Sequence, residues 1–479
     1  MLPRHILPAW LLLALLLPCS ASADDARADA MTKQLETNRQ RYGIAGQAVL
    51  VARNGQVLFR GADGEADIAT HTPVIETTVF PVYSLAKLFA STLAVQRIEQ
   101  GALTLDGPIG ATLPGLPAHW QRIRLRDLLD HTSGLPEYFE APQDGTPAAP
   151  LPADARAVFA ALAQTPLQFT PGTRTRYTQT NYLVLSALLA ADGGKPYPQL
   201  VEDRILRPLQ LRHTWLGPAA LPKHGVATAY TGRDGRLVPD PDLAWPDDAL
   251  GHAALYTTLD DLARFLQAMT AGEFVGRTTL QALWQPRTLP DGQRGWFAAG
   301  WEYGDNGVDR QVGHDGGTRV RVRVLFEGAA DGDVDTVIYL TNGSARNVWS
   351  RTLVDSIQAA MAPERFPAEA LAETLRSLAL DTGQDDDLHA RARTIRAASP
   401  LDDSAFERTV NATGYAVRDN FGIDPALHVF ALNTELFPMS ANAWDSLAEA
   451  YAAKGDDAQA NALYEKASRL PRDATREKD

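Results

Sequence analysis

Cysteine is nearly missing: Cys19 is the only one in 479 residues. If the first residues are a leader that is removed, the remaining chain has none. That excludes a disulfide framework and a cysteine nucleophile. Metal-binding patterns are absent too, since the ten histidines include no His-Glu-x-x-His or comparable spacing. No Walker A or Rossmann glycine pattern occurs, and no Gly-x-Ser-x-Gly elbow. We therefore expect no cofactor and no metal. Positive charge is in deficit, with 45 Lys+Arg against 58 Asp+Glu and a net charge of -13. A surface of that sign argues against nucleic acid as a partner and offers no basic membrane patch. Lysine is scarcest. The chain holds seven, and only Lys87, Lys195 and Lys223 fall between residues 34 and 453.

Long hydrophobic runs are lacking as well. The longest, Ile6–Leu17, is too short to cross a bilayer comfortably. Arg4 and His5 precede it, and Ala21-Ser22-Ala23 follows with the small-x-small pattern of a signal-peptidase site. Residues 1–23 read as a secretory signal cut after Ala23, which implies a secreted or periplasmic protein with no stable membrane span. A lipoprotein site at Cys19 fits poorly because Pro18 directly precedes it.

Hydrophobic residues make up 45% and charged residues 22%, as in a globular chain of more than one domain. Asn54-Gly55 between two apolar runs predicts a hairpin over 47–61. Helices are predicted over 84–100, 181–191 and 259–269, the first stopped by Gly101. Residues 319–324 alternate Arg and Val, the period of a half-buried strand with its arginines in solvent, and 334–340 reads as a second strand. Strands at both ends with helices between predict one sheet closed by its first and last segments, an α/β (α+β) domain over 30–362. From 366 to 479 the chain is Ala-rich, with no strand signal. A 34-residue repeat places Gly414, Ala426 and Phe430 against Ala448, Ala460 and Tyr464, a tetratricopeptide-like spacing. Helices of 368–398 are expected to complete that stack. The tail is expected to pack on the domain that precedes it, with a groove for a protein partner as the alternative.

Ser84-Leu85-Ala86-Lys87 is the chain's only Ser-x-x-Lys. Residues three apart share a helix face, so the amine can sit beside the hydroxyl. A buried lysine can lose its proton where an arginine cannot, and a neutral amine can take the serine proton. Two further elements follow in order: Tyr177-Thr178-Gln179, and Gly313-His314-Asp315-Gly316-Gly317. In this order the chain resembles the serine hydrolases that include class C β-lactamases, penicillin-binding DD-peptidases and related esterases. Asp130-His131-Thr132-Ser133-Gly134-Leu135, Thr170-Pro171-Gly172 and Leu340-Thr341-Asn342 add to the likeness.

The resemblance covers about 35–360. It implies a β-lactamase/DD-peptidase-like fold, with a central antiparallel sheet flanked by helices, acting on a small-molecule or peptide substrate. It implies Ser84 as nucleophile, Lys87 as base and Tyr177 as proton relay. The Ser84 and Gly317 N–H groups would form the oxyanion hole, with His314, Gly316 and Gln179 around the substrate. Lowering the Tyr177 pKa would take two cationic neighbours, and the sequence gives only Lys87, with His314 a second only when protonated. The glycines at 316 and 317 would let a substrate backbone approach. Arg319, two residues past Gly317, is the candidate among the strand's arginines for bidentate binding of a substrate carboxylate. Two departures stand out. Gln179 replaces the usual Asn, and His-Asp-Gly lacks the usual Lys and Thr, which weakens a β-lactamase reading. No Ser-Asp-Asn or Lys-Thr-Gly occurs. Esters or small D-peptides rank first as substrates and β-lactams second. A binding protein with a silent hydrolase fold is the alternative of another class.

Overall fold

The computed structural model describes residues 23–139, 151–233, 235–240, 243, 245–305, 309–327, 332–381 and 388–471. The leader expected at 1–23 lies outside these, apart from Ala23. Eight strands form one antiparallel sheet: β1 (Gly46–Arg53), β2 (Gln56–Asp67), β3 (Thr72–Pro73), β4 (Phe297–Ala298), β5 (Trp301–Asp305), β6 (Asp309–Asp315), β7 (Arg321–Glu327) and β8 (Val334–Thr341). Their order is β3-β2-β1-β8-β7-β6-β5-β4. The Asn54-Gly55 hairpin forms, with Asn54 and Gly55 both at positive φ. Strands β1 and β8 pair from Gln47↔Thr341 to Arg53↔Asp335, so the ends of the domain meet in mid-sheet.

The period of two sorts each strand between two layers. Ala48, Leu50, Val322, Val324, Ile338 and Leu340 join one core. Val49, Val51, Leu325, Val337 and Tyr339 join the other. Helix α1 (Ala23–Tyr42) covers the second layer. Helix α2 (Ala86–Glu99) lies in the first, with α3 (Gln179–Gly193) and α4 (Leu259–Ala271). Helix α2 is buried on nearly every side through Gln96, which is why its sequence is apolar all round. Helix α4 starts at Thr258, whose hydroxyl accepts from the Asp261 N–H, and stops at Gly272 in the left-handed region. Helix α5 (Ser350–Met361) packs beside α1 on the second layer.

The expectation of a solvated arginine face on 319–324 is overturned. Arg321 and Arg323 are 4% and 3% exposed. They point into the layer that α5 covers, where Glu302 and Asp315 pair with them. The Arg/Val alternation sorts one ionic face and one apolar face, both buried. Arg319 lies before the strand, at φ +68°, half-buried, and has no ion pair with a described residue.

The tail is helical throughout its described residues: α6 (Pro367–Leu380), α7 (Leu388–Ala398), α8 (Asp403–Phe421), α9 (Ile423–Leu436), α10 (Ala441–Lys454) and α11 (Asp457–Ser468). They share a separate core of Leu375, Phe406, Val410, Val429, Phe430 and Leu447. A Cβ on Gly414 would come within 2.5 Å of the Phe430 ring, so that repeat position needs the smallest residue. The tail docks on α1 and α5. Arg41 pairs with Glu373, Phe366 enters the second core at 1% exposure, and the Phe421 and Tyr42 ring centroids are 5.4 Å apart.

Candidate active site

Three segments converge on Ser84. The first is a tight turn, Tyr83–Leu85, leading into α2. Tyr83 has φ +45°, a conformation disfavoured for a residue with a Cβ, and its hydroxyl donates to Asp240 Oδ2 at 2.9 Å. Local strain held by surrounding contacts sits next to the hydroxyl that reacts. The second segment is the start of α3. The third is the end of β6 and the turn after it, held to the first when Thr318 Oγ1 donates to the Pro81 carbonyl at 3.1 Å.

Lys87 is fully buried, and its Nζ lies 3.1 Å from Ser84 Oγ. Two carbonyl oxygens complete its contacts: Gln179 Oε1 at 2.8 Å and the His252 backbone oxygen at 3.1 Å. Burial pushes the Lys87 pKa well below that of a free lysine, with the Glu137 carboxylate opposing. A neutral amine has two N–H bonds and one lone pair. The two carbonyls take the N–H bonds, and the lone pair is left for the Ser84 proton. Gln179, doubtful from sequence, thus reaches Lys87 despite its extra methylene. Its own backbone N–H donates to Glu137 Oε2 at 2.8 Å, which fixes the first turn of α3.

Tyr177 Oη lies 3.1 Å from the same Ser84 oxygen. Its pKa is raised, first by burial. The second cation that a lowering would need is not supplied, for a physical reason. Burial pushes His314 down to about 4, which leaves it neutral near pH 7, and burial likewise disfavours the charged form of Lys87. Tyr177 therefore holds its proton at neutral pH and is equipped as an acid. His314 is 4% exposed, with Nδ1 2.7 Å from the Asp315 carbonyl oxygen. That bond makes Nδ1 the protonated nitrogen and leaves Nε2 with a lone pair.

The two glycines serve the fold more directly than the sequence reading supposed. A Cβ on Gly316 would lie 2.3 Å from the Val82 carbonyl, and one on Gly317 3.1 Å from the Tyr83 ring. They let the third segment close on the first, which puts Gly317 beside the Ser84 turn. His131 is buried under Tyr177, its Nδ1 2.9 Å from Asn181 Nδ2. Sequence reasoning missed Glu137, His252 and Tyr138. Tyr138 Oη is 2.6 Å from His252 Nε2. No local pattern marks them, because their role arises only when the loops carrying them meet Lys87. Among the described residues no cluster of potential metal ligands occurs, and no helix is long and apolar enough to span a membrane.

The family model described as Beta-lactamase matches residues 29–353. The chain belongs to that family. Its members found by comparison are serine hydrolases, and this chain is one. It is 28% identical over 324 residues to an N-acetylmuramyl-L-alanine amidase of Bacillus subtilis, covering 58% of this chain and 73% of that one. It is 27% identical to a putative D-alanyl-D-alanine carboxypeptidase of Escherichia coli, covering 48% and 61%, and 28% to a D-aminopeptidase of Brucella ovis, covering 58% and 53%. The chain thus spans less than two thirds of the latter two relatives. Among solved structures, the hydrolase EstCE1 superposes with TM-score 0.57 at 24% identity, covering 71% of this chain and 99% of that one. An octameric penicillin-binding protein homologue from Pyrococcus abyssi gives 0.60 at 18%, covering 73% and 81%. At such identities these two establish the fold alone.

Proposed function

We propose an exported serine hydrolase that opens an ester or amide through an acyl-enzyme on Ser84. The Lys87 lone pair takes the Ser84 proton as Oγ bonds to the carbonyl carbon. The N–H groups of Ser84 and Gly317 receive the oxyanion, each such donor contributing on the order of 3 kcal/mol in comparable sites. Tyr177 gives its proton to the departing oxygen or nitrogen and regains one from Lys87. Water then reverses the steps and frees the acyl group. The observation that carries this reading is the Lys87 geometry, with both N–H bonds engaged by carbonyls and Ser84 Oγ 3.1 Å away.

The relatives' names (amidase, carboxypeptidase, aminopeptidase) support amides of D-amino acids or small D-peptides, with simple esters beside them. The helical tail is read as a tetratricopeptide-like stack docked on its own domain. The test is a panel of p-nitrophenyl acetate, a D-amino acid p-nitroanilide, a D-Ala-D-Ala peptide and nitrocefin, run with wild type and Ser84→Ala. Turnover of an ester or amide that Ser84→Ala loses supports the reading. Nitrocefin as the only substrate would replace it with a β-lactamase, and no turnover with any would favour a binding protein.

A further inference from the structure

A cleft of about 610 Å³ opens beside the catalytic residues and is lined at one end by Tyr177. Since Tyr177 is the acid for the departing group, that group enters here. The cleft's polar lining sets the acceptors Glu302, Asp315 and His314 Nε2 beside the donors of Tyr177, Trp296, Tyr303 and Arg351. Glu302 Oε2 faces the Arg323 and Arg321 guanidiniums, and Oε1 lies 3.9 Å from Arg351. Asp315 pairs through Oδ1 with Arg321 and accepts the Ser350 hydroxyl on Oδ2 at 2.7 Å. The Arg321 and Arg323 side chains are 5% and 3% exposed, whereas those of Glu302 and Asp315 are 26% and 39%. A ligand therefore meets carboxylate oxygens, with the guanidiniums behind them.

A second observation points the same way. His314 lines the cleft, and its buried Nε2 has no hydrogen-bond partner. With Nδ1–H committed to the Asp315 carbonyl, Nε2 accepts and needs a donor. The rest of the lining is aromatic: Trp296, 61% exposed, with Phe297 and Tyr303. Carboxylates beside aromatic faces suit a cation, and a ring face attracts an ammonium as a carboxylate pairs with it. Arg351 is the one cation among the described lining residues, and its exposed, long-range contact to Glu302 is weak enough for a ligand to displace.

We propose that this cleft receives an alkylammonium on the departing portion of the substrate, held by Glu302 and Asp315 against Trp296. A departing group that ends in a carboxylate meets the Glu302 and Asp315 oxygens before the guanidiniums behind them and is disfavoured, which ranks amino-alcohol esters and amine amides above D-Ala-D-Ala peptides within the proposed substrates. The inference deepens the hydrolase reading and rests on it for the direction of departure, but the receptor can be tested without turnover.

Phenethylammonium and 3-phenylpropionate share an aromatic body and differ in charge. Calorimetric titration into intact wild type and Ser84→Ala is expected to show the ammonium binding about tenfold or more tightly than the carboxylate in both, with the preference shrinking as salt rises. Glu302→Gln should remove the preference, read as a ratio within one protein. Trp296→Ala, at an exposed position where folding is not at risk, should weaken the ammonium more than the carboxylate. Equal or tighter binding of 3-phenylpropionate overturns the proposal. So does ammonium binding untouched by Trp296→Ala, or no ammonium binding at millimolar concentration. Esters of one acyl group with ethanolamine, propanol and glycolate should then turn over in that descending order. Failure of Ser84 to react with a fluorophosphonate would count against the hydrolase reading and leave the titration readable.

Discussion

The chemistry rests on the protonation state of one side chain. Lys87 is buried and its pKa is pushed well below the lysine value of 10.5. Deprotonation makes it a base, so kcat/KM should climb as pH rises through the lowered pKa and then level off. Tyr177 is displaced upward, so its ionisation should bring no fall in the accessible alkaline range. A stopped-flow pH profile with an activated ester checks both limbs. Lys87→Arg keeps a charge that cannot leave, and should cost about 10⁴-fold or more in kcat. Gln179→Asn shortens the amide that now lies 2.8 Å from Lys87, leaving one N–H without its acceptor. We expect a loss of about tenfold to a hundredfold in kcat, with Gln179→Ala no better. At this scale the sequence was informative. A lone Ser-x-x-Lys in a lysine-poor chain pointed to the amine and its partner. It could not reveal which carbonyls take the N–H bonds, because the His252 oxygen is a backbone atom 165 positions away.

Elements matter next, and β7 is the instructive one. Its alternating Arg and Val were legible as a strand, but the choice of wet face was wrong. A period of two says that two faces differ and cannot say that one is in water. Glu302 on β5 and Asp315 on β6 make the ionic face a buried one. Arg323→Ala would leave Glu302 only its longer contacts to Arg321 and Arg351 and should destabilise by roughly 1–3 kcal/mol in urea unfolding. The turn after β6 carries the second element-scale prediction. Gly316→Ala would set a methyl 2.3 Å from the Val82 carbonyl, which is backbone and cannot swing aside. The turn must move away from Ser84, so kcat should fall about a hundredfold or more while KM changes less. Gly101→Ala, with no neighbour within 4 Å but φ +72°, should affect stability only.

Over the whole molecule, a sheet joins its own ends and the tail locks that junction from behind. Both partners of the β1–β8 pair were legible as strands, and their meeting followed from the domain's ends needing a common sheet. The tail was expected to pack on its own domain, but the contacts that dock it were not legible, since Arg41 with Glu373 and Tyr42 with Phe421 join residues far apart in sequence. These contacts fall on the layer with α1 and α5, opposite the layer that holds Ser84 and Lys87. Removing residues 366–479 exposes the α1 and α5 surface. Phe366 alone accounts for about 2–3 kcal/mol of apolar burial. The shortened protein should melt several degrees lower by differential scanning calorimetry, yet keep its activity per folded, Ser84-reactive molecule. An unchanged Tm would mark the tail as an independent module.

The most direct test is the rate at which Ser84 is phosphonylated by a fluorophosphonate across pH, followed by intact mass and peptide mapping. Wild type should gain one adduct on Ser84, with a rate constant that rises through a pKa far below 10.5 and then holds level, and Lys87→Arg should remain unlabelled. A wild-type protein that stays unmodified, carries the adduct on another residue, or reacts no faster than Lys87→Arg would contradict a serine activated by a neutral lysine.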